Sequence, residues 1–172
     1  YNALAAFACA TMSGCTADEC AGGINAFRGA GRRFEFLGEV NGVTIADDYA
    51  HHPTELEATL RAAKEMDYKR VWAVFQPFTY TRTQMLLDDF ARVLQIADKV
   101  VMTEIMGSRE RAEDYAVRTK DLAAKIPGSV WYDTFDEVVD HVMKNARPGD
   151  LVITLGCGDI YKAAKKMVAW EA

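Results

Sequence analysis

The densest polar run in the chain is Asp47-Asp48-Tyr49-Ala50-His51-His52-Pro53. Two carboxylates and two imidazoles in so short a stretch suit proton transfer or capture of a small polar molecule, because imidazole titrates near neutrality and carboxylates accept from hydroxyls and amines. A plainer role is also open: His52 or Thr54 caps a helix that Pro53 starts, Thr54 and Glu57 form a capping box, and Asp48 serves loop amides. A metal site is disfavoured, since adjacent histidines on an extended segment point opposite ways. The second run, Gln76-Pro77-Phe78-Thr79-Tyr80-Thr81-Arg82-Thr83, carries one cation. Arg82 could grip a carboxylate or phosphate through paired hydrogen bonds, or simply form a surface ion pair. In the third, Gly156-Cys157-Gly158-Asp159, the glycines would let a ligand approach the backbone, or would make a tight turn with Asp159 as N-cap. Cys157 has no base nearby in sequence and reads as packing, and His141, between Val139 and Val142, as structural.

These runs need elements to hold them. Residues 34–40 and 43–47 alternate around Asn41-Gly42, a dipeptide that tolerates positive φ at both positions and so predicts an antiparallel hairpin. Helices are expected over 54–66, 83–96, 119–126, 136–145 and 160–168, alternating with strands over 71–75, 99–103, 129–132 and 151–155. This βα train predicts a Rossmann-like α/β sheet of six strands, five parallel and one antiparallel, with helices on both faces. Ligands in such sheets collect where strands end and helices begin, which is where the three polar runs lie. The connection 104–118 is charged and expected to be solvated. Residues 1–27 read as two Ala-rich helices, 1–12 and 16–27, and Gly29-Ala30-Gly31 marks a domain boundary.

The remaining arithmetic narrows the class. At 172 residues, 50% of them hydrophobic, the chain is long enough to bury a core without metal or disulfide staples. A net charge of -5 with scattered Lys and Arg gives no field for nucleic acid. Cys9, Cys15, Cys20 and Cys157 form no C-x-x-C pair, and no signal peptide or membrane span is expected, so reduced thiols in a cytoplasmic protein are the expectation. There is no Gly-Lys pair, hence no P-loop, and no G-x-G-x-x-G after the early strands. The third parallel strand ends in Thr103-Glu104 rather than the Asp that a phosphoacceptor receiver domain needs. The chain opens at Tyr1, without an initiator Met, directly into a helical run, so a piece of a longer polypeptide is expected.

The segments Arg32-Arg33-Phe34-Glu35, Asp47-Asp48-Tyr49-Ala50-His51-His52-Pro53-Thr54-Glu55, Phe75-Gln76-Pro77 with Tyr80-Thr81-Arg82-Thr83, and Leu155-Gly156-Cys157-Gly158-Asp159-Ile160 together resemble the Mur ligases. Within that family they are most similar to the branch that adds L-alanine to UDP-N-acetylmuramate for peptidoglycan precursors. The resemblance implies that residues 1–31 are the closing helices of a central ATPase domain and 32–172 a complete C-terminal domain. It implies a reaction in which ATP phosphorylates the lactyl carboxylate and the alanine amine attacks the acyl phosphate, with Mg2+ assisting. The P-loop, most metal contacts and the UDP-sugar grip would lie in the N-terminal and central domains, and this domain would close over them as a water-excluding lid, inactive by itself.

By the same resemblance Arg33 reaches the nucleotide, Asp48 takes its ribose hydroxyls, and Tyr49, His51 and Arg82 form the alanine side, with His51 orienting or deprotonating the amine and Arg82 pairing with the carboxylate. His52, Thr79, Gly156, Gly158 and Asp159 are secondary candidates, and no residue is expected to bind metal. Phe78-Thr79 stands where many members have His-Arg, which leaves Arg82 to hold the carboxylate alone. Two other readings are a murein-tripeptide-recycling ligase, which shares Asp-Asp-x-Ala-His-His-Pro but not Phe-Gln-Pro with Tyr-Thr-Arg-Thr, and a non-catalytic nucleotide-binding module.

Overall fold

The computed structural model describes residues 2–27 and 29–170. The chain divides into two compact units, Tyr1–Ala30 and Gly31–Ala172. In the first, α1 (Asn2–Met12) buries none of its residues and α2 (Ala17–Ala26) buries Cys20 alone. Helix α2 starts cleanly because Thr16 and Glu19 form a capping box, and Asp18 and Glu19 add negative charge where the helix dipole is positive. Leu4 and Met12 are 72% and 88% exposed, so apolar surface on these helices is left uncovered. The sequence expectation for the first helix began at Tyr1, which lies outside the described residues, as does Arg28.

The second unit is one six-stranded sheet in the order β1-β2-β6-β3-β4-β5. Strands β1 (Glu35–Val40) and β2 (Val43–Asp48) are antiparallel, and β2, β6 (Asp150–Leu155), β3 (Arg70–Phe75), β4 (Lys99–Thr103) and β5 (Val130–Tyr132) run parallel, as expected. Asn41 and Gly42 adopt φ 53° and 76°, the left-handed pair that the two-residue turn requires. Gly42 is needed twice over, because a Cβ there would lie 2.9 Å from Cβ of Pro148. All six residues of β6 are buried, as suits a strand with neighbours on both sides and helices on both faces.

One face is covered by α3 (Pro53–Glu65), α5 (Leu87–Leu94) and α6 (Thr119–Ala123), which bring Leu56, Leu60, Phe90 and Leu122 onto Phe75 and Ile153. The other is covered by α7 (Phe135–Asn145) and α8 (Tyr161–Val168) through Val138, Val142, Ala163 and Met167. Each such fully buried large side chain contributes about 1.5–3 kcal/mol. Because the chain returns to insert β6 between β2 and β3, connections leaving the sheet there go to opposite faces, and their ends open a crevice at the carboxyl rim.

Three expectations need correction. The helix expected over 83–96 is two, α4 (Tyr80–Met85) and α5, broken at Leu86 (φ -114°, ψ 22°). The break lets α4 start at the rim while α5, with Asp88 and Asp89 in its first turn, lays Phe90, Val93 and Leu94 on the sheet. The connection 104–118 is not merely solvated: Ile105 and Val117 are buried against Tyr80, Tyr115 stacks on the Tyr80 ring, and Ala112–Asp114 form a short 3-10 turn. Finally, the cap of α3 pairs His52 with Glu55, whereas Glu57 is held by Arg61 and Arg92.

At the opposite rim Asp150, 1% exposed, joins β6 to β3: it takes two hydrogen bonds from Arg70 (3.0 and 2.6 Å), one from the Trp72 indole (3.0 Å) and one from the Arg147 amide (2.9 Å). Burial pushes its carboxyl up, but Arg70, the Arg147 amide and Trp72 outweigh burial and hold it below the usual Asp value. A depressed folded value means stability that is present at neutral pH and lost as pH falls through it. Asp150→Asn is therefore expected to lower unfolding free energy by about 1–2 kcal/mol at pH 7, and the gap to wild type should narrow below about pH 4. Urea midpoints at both pH values check this.

Candidate functional site

The two aspartates that end β2 point to opposite sides and both bond within the fold. Asp47, 1% exposed, accepts from the Thr154 hydroxyl (2.5 Å) and from Nε of Arg32 (2.8 Å). Asp48, 6% exposed, accepts the Ala50 amide at 2.7 Å and the Phe34 amide at 2.8 Å, one on each oxygen. The loop-amide role weighed for Asp48 is therefore real, and each oxygen keeps one further acceptor site.

Arg32 and Arg33 diverge. Arg32 takes φ 58°, and its guanidinium lies 4.8 Å from the ring centres of both Tyr49 and Tyr161 while donating to the Gly156 carbonyl at 2.7 Å. It ties the start of β1, the β2 loop, the β6 loop and α8 together. Arg33 remains exposed, 5.5 Å from the other flank of the Tyr49 ring. Sequence reasoning singled out Arg33 and missed Arg32; the doubled arginine facing a doubled aspartate was the available signal.

Half-buried His51 follows. Its Nδ1 lies 3.0 Å from the Tyr49 carbonyl and 3.3 Å from Oε2 of Glu55, and its ring meets the Tyr49 ring edge-on at 5.7 Å. Glu55 also accepts the His51 and His52 amides at 3.0 and 3.3 Å. Burial pushes the Glu55 carboxyl up, but the His51 amide, the His51 ring, the His52 amide and Arg33 together hold it below its usual value. His52 is exposed, with Nδ1 accepting the Thr54 amide at 3.4 Å, so it serves the helix start rather than the crevice.

Across the crevice, Thr79 sits at φ 64° as N-cap of α4, accepting the Arg82 amide on its hydroxyl at 3.4 Å. A left-handed β-branched residue is costly backbone, held here by the bonds from the Thr79 amide to the Met106 carbonyl and from Thr83 to the Thr79 carbonyl. The outcome is the placement of Arg82 beside Phe78, ring centre 6.0 Å away. Among the described residues its Nη1 is the one buried side-chain polar atom without a hydrogen-bond partner. A buried guanidinium N–H without a protein acceptor is a cost to the resting fold and a donor open to a further acceptor.

In the β6 loop the glycines lie against residues of other loops. A Cβ on Gly158 would lie 2.5 Å from Sδ of Met106 and 2.7 Å from Oε1 of Gln76, and on Gly156 (φ 146°) 3.0 Å from the Gln76 carbonyl. Gly156 lets the β3 loop approach the backbone, and Gly158 both that loop and the connection after β4. Asp159 is not the N-cap: its amide donates to Oε1 of Gln76 at 3.0 Å, and its carboxylate pairs with Lys162 at 2.9 Å. Cys157 sits in the fields of all three loops. Burial pushes its thiol up, Arg82 and Arg32 pull it down, and Glu55 pushes it up.

The three loops meet at the rim through the Gly156 amide bonded to the Asp48 carbonyl and the Gln76 amide bonded to the Leu155 carbonyl, and Arg82, Arg32 and Glu55 act on Cys157. These loops carry Arg33 beside the Tyr49 ring, the His51 ring at that ring's edge and the unpaired Nη1 of Arg82, groups whose chemistry suits anions. Among the described residues no three His, Cys, Asp or Glu converge where a metal ion could sit. Among those residues no helix is long and apolar enough to cross a membrane.

Residues 32–158 match the family described as Mur ligase, glutamate ligase domain. The UDP-N-acetylmuramate–L-alanine ligase of Acetivibrio thermocellus is 42% identical over 98% of this chain, which spans 38% of that relative's length. The crystal structure of the UDP-N-acetylmuramate–alanine ligase of Thermotoga maritima superposes with a TM-score of 0.79 at 25% identity, covering 98% of this chain and 36% of that one. A murein peptide ligase from Psychrobacter arcticus superposes with a TM-score of 0.68 at 26% identity, covering 98% of this chain and 35% of its own. The match across most of the sheet and all three rim loops carries the conclusion that this chain belongs to the Mur ligase family.

Proposed function

We propose that this chain is the C-terminal part of an ATP-dependent ligase that joins L-alanine to the lactyl carboxylate of UDP-N-acetylmuramate, acting in the cytoplasm as the lid that completes the nucleotide and amino-acid sites. The observation that carries the reading is the buried, unpartnered Nη1 of Arg82, an acceptor-seeking atom beside the Cys157 turn. The carboxylate of an α-amino acid would satisfy it with two parallel hydrogen bonds. When bound, ATP supplies the phosphoryl group that activates the acid partner. Arg33 and Asp48 would hold the nucleotide, Arg33 as the exposed cation beside Tyr49 and Asp48 through its remaining acceptor sites toward the ribose. Tyr49 and His51 would line the amine side, His51 accepting or steering the amine proton. With alanine so held, lid closure would exclude water from the activated acid.

Residues 1–31 would be the closing helices of the central domain, and the uncovered Leu4 and Met12 support a missing partner for them. That domain would also supply the P-loop, whose Gly-Lys pair is absent from this sequence, and most of the Mg2+ ligands. The 42% identity to an L-alanine ligase favours alanine over a murein peptide as the second substrate. The test is phosphate release by the full-length polypeptide given ATP, UDP-N-acetylmuramate and each of alanine, serine, glycine and the murein tripeptide. Alanine is expected to give the highest kcat/KM, and preference for the tripeptide would overturn the assignment. The 172-residue chain alone is expected to show no alanine-dependent ATP hydrolysis.

A further inference from the structure

We infer that Glu55 is a positioning residue that fixes His51 with its proton on Nδ1, so that Nε2 is the atom left to take a proton from an incoming amine. The inference rests on the ligase reading for its substrate but on this chain's own geometry for its chemistry. The Tyr49 carbonyl, 3.0 Å from Nδ1, can only accept, so Nδ1 must donate. Oε2 of Glu55, 3.3 Å from the same nitrogen, is a second acceptor and a negative charge. Two acceptors on one ring nitrogen select the Nδ1–H form of the neutral ring and leave the lone pair on Nε2.

Glu55 cannot easily swing away, because the amides of His51 and His52 also donate to Oε2. Its charge has a further use. His51 stands two residues before Pro53, the first residue of α3, where the helix end is positive and disfavours an imidazolium. Glu55, in the first turn of α3, brings a negative charge to that end beside the ring. The other groups facing the pair are the Tyr49 ring, Arg33, which acts on Glu55, and Cys157, on which Glu55, Arg82 and Arg32 act. This arrangement of base, fixed tautomer and orienting carboxylate is the general requirement for proton abstraction by imidazole.

Glu55 also caps α3, so the test must separate charge from capping. Glu55→Gln keeps an acceptor oxygen for the amides and removes the charge. In long-range 1H–15N spectra of the chain, neutral His51 is expected in the Nδ1–H form, and Glu55→Gln should raise its Nε2–H share by about threefold or more. An Nε2–H form in the wild type, or an unchanged tautomer ratio in the variant, would overturn the inference. In the full-length enzyme, Glu55→Gln should lower kcat by about three- to tenfold while the KM for alanine stays within about twofold of wild type. An unchanged kcat beside a changed tautomer ratio would equally overturn it, since a structural cap would not split kcat from KM. Absence of alanine-dependent turnover in the wild type would instead sink the ligase reading, and the NMR result would still decide the tautomer.

Discussion

Arg82→Ala, placed in the full-length ligase, is expected to raise the KM for alanine steeply and to lower kcat/KM by about 30- to several-thousand-fold, the equivalent of about 2–5 kcal/mol. The magnitude follows from the environment of Nη1, which is buried and lacks an acceptor among the described residues. An amino-acid carboxylate entering there gains a charge-assisted pair out of water, and nothing else in the Gln76–Thr83 run offers a cation. Arg82→Lys should recover only part of the loss, because a single ammonium cannot reproduce the parallel fork. The same substitution has an opposite signature in the free chain. Removing a guanidinium whose N–H is buried and unpaired should leave unfolding free energy unchanged or raise it by about 1 kcal/mol. A residue that costs the resting fold but is needed in the complex is what a binding role predicts. An unchanged KM for alanine together with a destabilised chain would make Arg82 a structural residue and remove it from the pocket.

What could be read ahead of the coordinates follows the range of the interactions that decide it. The Asn41-Gly42 turn, the strand count and the antiparallel edge are set by neighbours a few residues apart, and all three hold in the structure. The break at Leu86 is a tertiary matter: α4 answers to Thr79 at the rim and α5 to the sheet, and no local residue announces the change of direction. Gly158 shows the same limit more sharply. Its lack of a side chain looks like an invitation to a ligand until Met106 and Gln76, from two other loops, are found against it. In the site, Arg82 was legible as a lone cation between strand and helix. The division of labour between Arg32 and Arg33 was not, because it depends on a left-handed φ at Arg32 that turns its side chain to Asp47 and Gly156 and leaves Arg33 exposed. Segment 104–118 was misread because its charges hide two apolar residues, Ile105 and Val117, that pin the Arg82 loop through Tyr80.

Asp48→Ala is expected to weaken the fold and the nucleotide site together. Its two oxygens serve the Phe34 and Ala50 amides, and orphaning both should cost about 2–4 kcal/mol of unfolding free energy, read from denaturant midpoints. Because Phe34 follows Arg33 directly, loosening its amide also frees the exposed cation beside Tyr49. In the full-length enzyme the KM for ATP should then rise by about tenfold or more while the KM for alanine moves little. Two routes lead to that result, a ribose contact by the carboxylate or placement of Arg33, and Asp48→Asn, which keeps one acceptor oxygen and costs one of the two amides its partner, separates them when it is read with a deoxynucleotide. If the carboxylate accepts ribose hydroxyls, wild type should prefer ATP over 2′-deoxy-ATP, and the Asn variant should lose most of that preference, a coupling that a double comparison of the four KM values isolates. We expect this outcome, since each oxygen retains an acceptor site once the amide is satisfied. An equal rise for both nucleotides would assign Asp48 wholly to holding Phe34 and leave Arg33 as the nucleotide contact.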